Sequence, residues 1–173
     1  MSNARLTLIL TAVTLSSMAL GAQDRYTLSV PNGIPFSDIR GYESWQSVAP
    51  SQTESGLKII AANDAMMAAY KAGTPGNGQA FPDGSKIVKL EWSRQDNPIA
   101  QYPVRVPGTL KSVSFIEKDS KKFPDTGGWA YAQFAYDPAS DTFTPTVTGT
   151  GCGHTCHMAV ASNDYIFTRY APR

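Results

Sequence analysis

The stretch Trp129-Ala130-Tyr131-Ala132-Gln133-Phe134-Ala135-Tyr136 is the strongest strand signal in this chain of 173 residues. Aromatic residues favour strands, and the turn 126–128 before the run and Asp137 after it mark its ends. Working outward in both directions, further strands are predicted at residues 57–61, 85–92, 110–117 and 164–170. Successive strands joined by turns predict an α+β fold of one domain, a mainly antiparallel β-sheet with a few helices packed on it.

One helix is clearly indicated between these strands. Residues 65–72 are good helix formers that follow the capping pair Asn63-Asp64 and end at Gly73. The segment 26–50 contains several prolines and has no sustained period. We therefore predict an extended arm there, with a short helical turn around residues 38–48.

Both cysteines and both histidines lie in Gly151-Cys152-Gly153-His154-Thr155-Cys156-His157-Met158. A cysteine followed directly by a histidine, with another cysteine upstream, is the arrangement that attaches a haem covalently. We predict Cys152 and Cys156 as the thioether residues of a haem c and His157 as the axial iron ligand. Three residues separate the cysteines instead of the usual two, and Gly153 supplies the backbone freedom for a bulge.

Two other uses of this motif stay open. A Cys152–Cys156 disulfide would suit an exported protein, although so short a loop stabilises little. A zinc site would need Cys152, His154, Cys156 and His157 together, whereas structural zinc sites draw ligands from two separated elements.

The N-terminus predicts a secretory signal over residues 1–22, followed by a haem-binding domain over residues 23–173. Arg5 precedes an apolar run that ends in small residues and is too short and too polar for a membrane span. We expect cleavage after Gly21 or Ala22 and export, in a bacterium to the periplasm, with no membrane segment left. Cleavage removes Arg5, so 15 basic residues become 14 against 14 acidic ones. A neutral chain without a basic run argues against nucleic acid and favours small substrates.

Several of these segments, in this order, resemble the cytochrome P-460 family, a group of small exported mono-haem proteins. The ending, Cys-His and then Tyr-Ile-Phe-Thr-Arg, is the most specific part. The resemblance extends over nearly all of the chain after residue 22. Its residues are Tyr42 with Ser44-Trp45, Asn63-Asp64 with Ala69-Tyr70, Asp83 to Lys89, Lys118-Asp119-Ser120 with Phe123, Gly128-Trp129-Ala130, Cys152 to His157, and Asp164 to Arg169.

The resemblance implies one haem per chain, a homodimer, and a covalent tie from a lysine nitrogen to the haem edge. That lysine follows an Asp-Gly turn, which gives the role to Lys89. Strand alternation places Lys89 on one face of its strand and Val88, Leu90 and Trp92 on the other face. With His157 on one side, the iron is five-coordinate, and the implied activity is oxidation of hydroxylamine with electrons passed to an acceptor protein.

The chain departs from the family at the catalytic carboxylate, because Ser114 stands near that position. Glu117 is the nearest carboxylate and is the candidate base, although strand parity turns it away from Ser114. The missing carboxylate favours an alternative, the binding of nitric oxide or carbon monoxide, which resembles cytochrome c prime beta. A third hypothesis is a haem-free exported binding module closed by a disulfide.

Overall fold

The computed structural model describes residues 22–31, 33–146 and 150–171. A six-stranded antiparallel sheet dominates this part of the chain, and its strands follow one another in sequence order. The strands are β1 (Gln46–Thr53), β2 (Gly56–Ala62), β3 (Lys86–Asp96), β4 (Arg105–Lys118), β5 (Trp129–Asp137) and β6 (Thr142–Pro145). The α-helices are α1 (Asp64–Lys71) and α2 (Thr150–His157), and 3-10 helices cover Arg25–Thr27, Phe36–Ile39, Tyr42–Ser44, Pro124–Thr126 and Met158–Asn163. The predicted α+β class is confirmed.

Helix α1 begins as its sequence predicts. The side chain of its N-cap residue Asn63 accepts a hydrogen bond from the backbone N–H of Met66, at 3.2 Å. Such a cap satisfies one of the free N–H groups of the first helical turn. Met66, Met67 and Tyr70 form the buried face of the helix.

The predicted arm over residues 26–50 is wrong in its last part, where β1 forms. This strand lies at the edge of the sheet and is mostly exposed, so its residues lack the apolar alternation that marks a strand. Pro50 is tolerated there because an edge strand leaves one row of N–H groups unpaired. The hairpin of β3 and β4 is also longer than predicted, since strand pairing reaches Asp96 and Arg105.

The predicted closing strand 164–170 is wrong. Asp164 and Tyr165 have φ values of 51° and 62°, in the left-handed region. Residues 166–171 form no β-ladder with any described strand. The backbone N–H of Ala171 donates to the carbonyl of Val48 at 3.4 Å. The segment 166–171 therefore crosses beside the sheet instead of extending it.

Both faces of the sheet carry buried side chains. Val88, Phe115 and Phe134 belong to one core cluster, where the Phe36 ring packs against Phe115 and Phe134. Ile87 and Ile116 belong to a second cluster on the opposite face. Neither α1 nor α2, nor any other helix in the described ranges, has the length and hydropathy to cross a membrane. The predicted signal, except Ala22, lies outside the described residues.

Candidate functional site

A cavity of about 420 Å³ lies between the second face of the sheet and the segment 166–169. Its volume is in the range of small-molecule and cofactor sites. Strands β1 to β4 form one wall, and the end of α2 contributes His157. The polar and charged residues of this lining include Lys58, Lys89, Ser114, His157 and Arg169.

Lys89 and Ser114 are direct neighbours in the cavity wall. They are opposite each other in the register of β3 and β4, and Ser114 is opposite Gln133 of β5. Cross-strand partners of this kind hold their Cβ atoms within about 5.5 Å. The Ser114 hydroxyl oxygen is buried and has no hydrogen-bond partner within the described ranges. The sheet thus carries an amine and an unpaired hydroxyl side by side.

The side chain of Lys89 is half-buried and forms neither a hydrogen bond nor an ion pair with another described residue. Burial lowers the pKa of Lys89, and the charge of Lys58 lowers it further, against a smaller opposite effect of Glu91. The neutral amine is the nucleophilic form of lysine. Burial makes loss of the proton easier, so a buried lysine is more readily neutral. The position therefore suits a lysine that forms a covalent bond.

His157 ends α2 and reaches the same cavity. Its Nδ1 lies 2.6 Å from the carbonyl oxygen of Tyr165, and because a carbonyl only accepts, Nδ1 must donate. Nε2 is then the nitrogen with a free lone pair, as a metal ligand requires. Burial lowers the pKa of His157, as do the nearby Lys89 and His154, while the hydrogen bond to Tyr165 raises it. The neutral form that can bind a metal is favoured.

The cysteine motif forms regular helix, so the predicted bulge at Gly153 is wrong. Residues 152 and 156 are one helical turn apart and share a face of α2, which is what a spacing of three residues between them gives in a helix. Cys156 is exposed and its thiol is free. No group of three or more His, Cys, Asp or Glu side chains among the described residues is arranged to hold a metal ion.

Gly153 has a packing role instead. A Cβ added there would lie 2.4 Å from both Cβ and Cγ of Tyr131, so α2 approaches β5 as closely as a glycine allows. The Tyr131 ring in turn contacts the His157 ring, with centroids 4.8 Å apart. The same contact therefore sets the distance of α2 from the sheet and supports the imidazole.

Replacing Gly153 with alanine should push α2 away from β5. We expect an unfolding free energy lower by about 1–3 kcal/mol, as for other overpacked sites, and incomplete haem incorporation. Urea unfolding and the haem-to-protein absorbance ratio measure the two effects. Gly151→Ala is the matched control, because a Cβ at Gly151 meets no atom within 4 Å and alanine is the better helix former. Equal effects of the two variants would contradict the packing role.

Glu117, the candidate base, does not line the cavity. It is opposite Lys86 in the register of β3 and β4. Its Oε2 forms an ion pair with Lys86 Nζ, at a distance of 3.1 Å. Parity places it with Phe115 on the first face, whereas Ser114 and Ile116 face the cavity. Burial raises the pKa of Glu117, with the bond to Lys86 opposing that shift. Glu117 therefore has a perturbed carboxyl, but it lies on the face of the sheet that points away from this cavity, and it is not a base for this cavity in the proposal below.

The described lining fits a haem. Its walls include apolar side chains at Ile60, Ile87 and Ile116, and its charged groups are the cations Lys58, Lys89 and Arg169, with no carboxylate among the described lining residues. Cations and apolar walls together suit a large apolar ring that carries carboxylates. Phe167 is 55% exposed although its ring is 4.9 Å from the His157 ring, so a flat apolar ligand beside His157 would also cover it.

Of the predicted site residues, the structure places Lys89 and His157 in the lining of one cavity and Glu117 outside it. The role of Tyr165 as the hydrogen-bond partner of His157 could not be predicted from the sequence, because the partner is a backbone carbonyl. The positive φ that orients this carbonyl is not indicated by the residue type. Sequence reasoning also missed Tyr131, whose place beneath the motif depends on the packing of α2. The Tyr131 hydroxyl is buried without a partner in the described part of the chain.

Comparison with known families finds a match that covers most of the cavity lining and the cysteine motif. The family model described as Cytochrome P460 matches residues 39–168, which is most of the chain. The match includes the cavity wall, α2 and the segment beside it. Among curated proteins, none matches the chain significantly.

Proposed function

The chain belongs to the cytochrome P460 family of haem proteins, and on that premise we propose that it oxidises hydroxylamine, or a related small nitrogen species, and passes the electrons to an acceptor protein. In this proposal one haem c is bound through Cys152 and Cys156, with His157 on the iron. The observation that carries the proposal is the presence of Lys89 and His157 in one cavity. A mono-haem electron carrier alone has no use for a desolvated lysine there.

The three cationic residues of the cavity and His157 each have a part in this proposal. A bound haem would supply the redox chemistry and a place on the iron for the small substrate. Lys89, whose amine lies in the cavity wall, is the residue that would hold the haem edge by a third covalent tie, a C–N bond that replaces one N–H and one C–H bond as two electrons and two protons pass to an outside oxidant. Lys58 and Arg169 bring positive charge to the cavity, where propionate carboxylates need partners. The imidazole of His157 is held in one tautomer by Tyr165.

Proton removal is the part that this cavity supports least. Hydroxylamine loses protons as well as electrons on oxidation, and a carboxylate is an effective base for them. Ser114 offers a buried hydroxyl without a partner, which can donate or accept a hydrogen bond but remains protonated near neutral pH. Slow turnover is the expected consequence.

The missing carboxylate favours a second candidate function, the reversible binding of nitric oxide or carbon monoxide. These molecules need an open iron position and a largely apolar surrounding, and they need no base. Ile60, Ile87 and Ile116, on the same face of the sheet as Ser114, contribute to such a lining. In this reading the chain resembles cytochrome c prime beta in activity.

The deciding experiment uses the mature protein made in a periplasm with haem-attachment machinery. We expect an intact mass equal to protein plus haem, a red-shifted ferrous Soret band, and hydroxylamine turnover with an artificial acceptor. An ordinary c-type band with nitric oxide binding and no turnover would replace the first function with the second. A colourless protein lighter by two hydrogens would contradict both and support the haem-free module.

Export and dimerisation are part of the same proposal. The signal-like residues 1–22 support export to a periplasm, and family resemblance supports a homodimer. A periplasmic fraction whose protein lacks residues 1–22, and a size-exclusion mass of twice the chain, are the expected results. Retention of residues 1–22 in the cytoplasm would contradict export.

A further inference from the structure

Lys118 and Asp164 form a buried ion pair that the proposed function leaves unexplained. Lys118 Nζ is 2.5 Å from Asp164 Oδ2, and the two side chains are only 7% and 12% exposed. They come from two motifs far apart in the sequence, the end of β4 and the turn after the last 3-10 helix. Burying two charges costs solvation energy, so a pair held this closely needs further hydrogen bonds to be tolerated.

Those hydrogen bonds are present. Asp164 Oδ2 also accepts from the backbone N–H of Phe81 at 2.8 Å, and Oδ1 lies 3.4 Å from Nε1 of Trp129. Lys118 is itself held by its backbone, which donates to Ser85 and accepts from Gly84. The Asp164 carboxylate is thus fixed against three separate parts of the sheet end and its loops.

The fixed carboxylate lies at a strained turn. Asp164 and Tyr165 both have left-handed φ values, a conformation that aspartate tolerates and that a bulky side chain such as tyrosine rarely adopts. The Tyr165 ring is held over a glycine, since a Cβ on Gly127 would be 2.3 Å from Tyr165 Cε2. Strain of this kind persists only where surrounding contacts determine the backbone.

The turn directs the hydrogen bond that the His157 ring forms with a described residue. The Tyr165 carbonyl accepts from Nδ1 at 2.6 Å, while the other close ring neighbours of His157, Tyr131 and Phe167, are aromatic. No other described group offers Nδ1 a partner. The tautomer and orientation of the imidazole therefore depend on where the turn places this carbonyl.

We propose that Lys118 and Asp164 are positioning residues, which hold the turn at Asp164 and Tyr165 so that the Tyr165 carbonyl keeps Nε2 of His157 free and basic. The inference rests on the proposed function, because it takes His157 as the iron ligand. A partner on the outer nitrogen raises the basicity of a metal-bound histidine and lowers the potential of the metal. The ion pair thus acts on the iron through the backbone, without contact.

The test is resonance Raman spectroscopy of the ferrous holoprotein, in which the iron–histidine stretching band reports the bond to Nδ1. Asp164→Asn keeps the size and the tolerance for positive φ and removes the charge. We expect its band to shift to lower frequency and its midpoint potential to rise. Lys118→Met should likewise lower the band frequency and raise the midpoint potential. Lys118→Arg keeps the charge and should change the two quantities least.

Asp141→Asn is the matched control. Asp141 also has a left-handed φ, of 53°, but it is exposed and bonds only Tyr136 among the described side chains. We expect no change in its band or potential. If Asp164→Asn fails to accumulate as a holoprotein, the comparison of Lys118→Met with Lys118→Arg decides.

Two outcomes contradict different claims. A wild-type protein without an iron–histidine band would refute His157 as ligand and with it the proposed function. A wild-type band that Asp164→Asn and Lys118→Met both leave unchanged would refute only the positioning role. A shift in both variants and none in Asp141→Asn supports it.

Discussion

Replacing Lys89 with arginine should abolish the red-shifted ferrous Soret band and leave an ordinary c-type spectrum. Arginine keeps the positive charge and most of the length, but its guanidinium stays protonated and is a poor nucleophile. The haem should remain attached through the cysteines, so the intact mass should still equal protein plus haem. We expect hydroxylamine turnover to fall to the background rate, because it depends on the third covalent tie.

Lys58→Arg is the control for this variant. Lys58 lines the same cavity on the neighbouring strand, but its Nζ lies 3.7 Å from the Glu91 carboxylate, so it has a partner where Lys89 has none among the described residues. Its spectrum and turnover should match the wild type. A red-shifted band that survives in Lys89→Arg, or is lost equally in Lys58→Arg, would contradict the cross-link at Lys89.

Replacing Trp129 with alanine should cause the largest loss of stability. The Trp129 ring is fully buried, 6.2 Å from the Phe81 ring and 5.3 Å from Lys118 Nζ. Removing a buried tryptophan costs about 3–5 kcal/mol through lost burial and the cavity left behind, out of a total of about 5–15 kcal/mol for a domain. The variant should unfold at much lower urea concentration and should accumulate little holoprotein.

Trp92→Ala is the comparison, since Trp92 lies on β3 and is only partly buried. We expect a clearly smaller shift of its urea midpoint. Trp129→Phe should fall between the two, because it keeps a ring but loses volume and the Nε1 donor. A similar midpoint for Trp129→Ala and Trp92→Ala would contradict the central role of Trp129 in the core.

The sequence determined the sheet where apolar residues recur with a strand period, as in β2, β3, β4 and β5. It did not reveal β1, because an edge strand is mostly exposed and its polar residues carry no periodic signal. It placed Lys89 correctly, since the period of two fixes which face a strand residue takes once the strand is identified. The same parity argument already set Glu117 apart from Ser114, and the structure confirms that separation.

Other features depend on contacts between distant segments. The motif from Cys152 to His157 was recognisable from residue types, but its helical form and the packing of Gly153 against Tyr131 were not. The Tyr165 carbonyl and the Lys118–Asp164 pair were beyond prediction for the same reason: neither a backbone direction nor a contact between residues 46 positions apart is written in local composition. The sequence by itself determined the chemistry available to this protein, because that chemistry resides in particular side chains. Only the tertiary structure decided which of them meet in one cavity, because that depends on the pairing of strands and the close approach of α2.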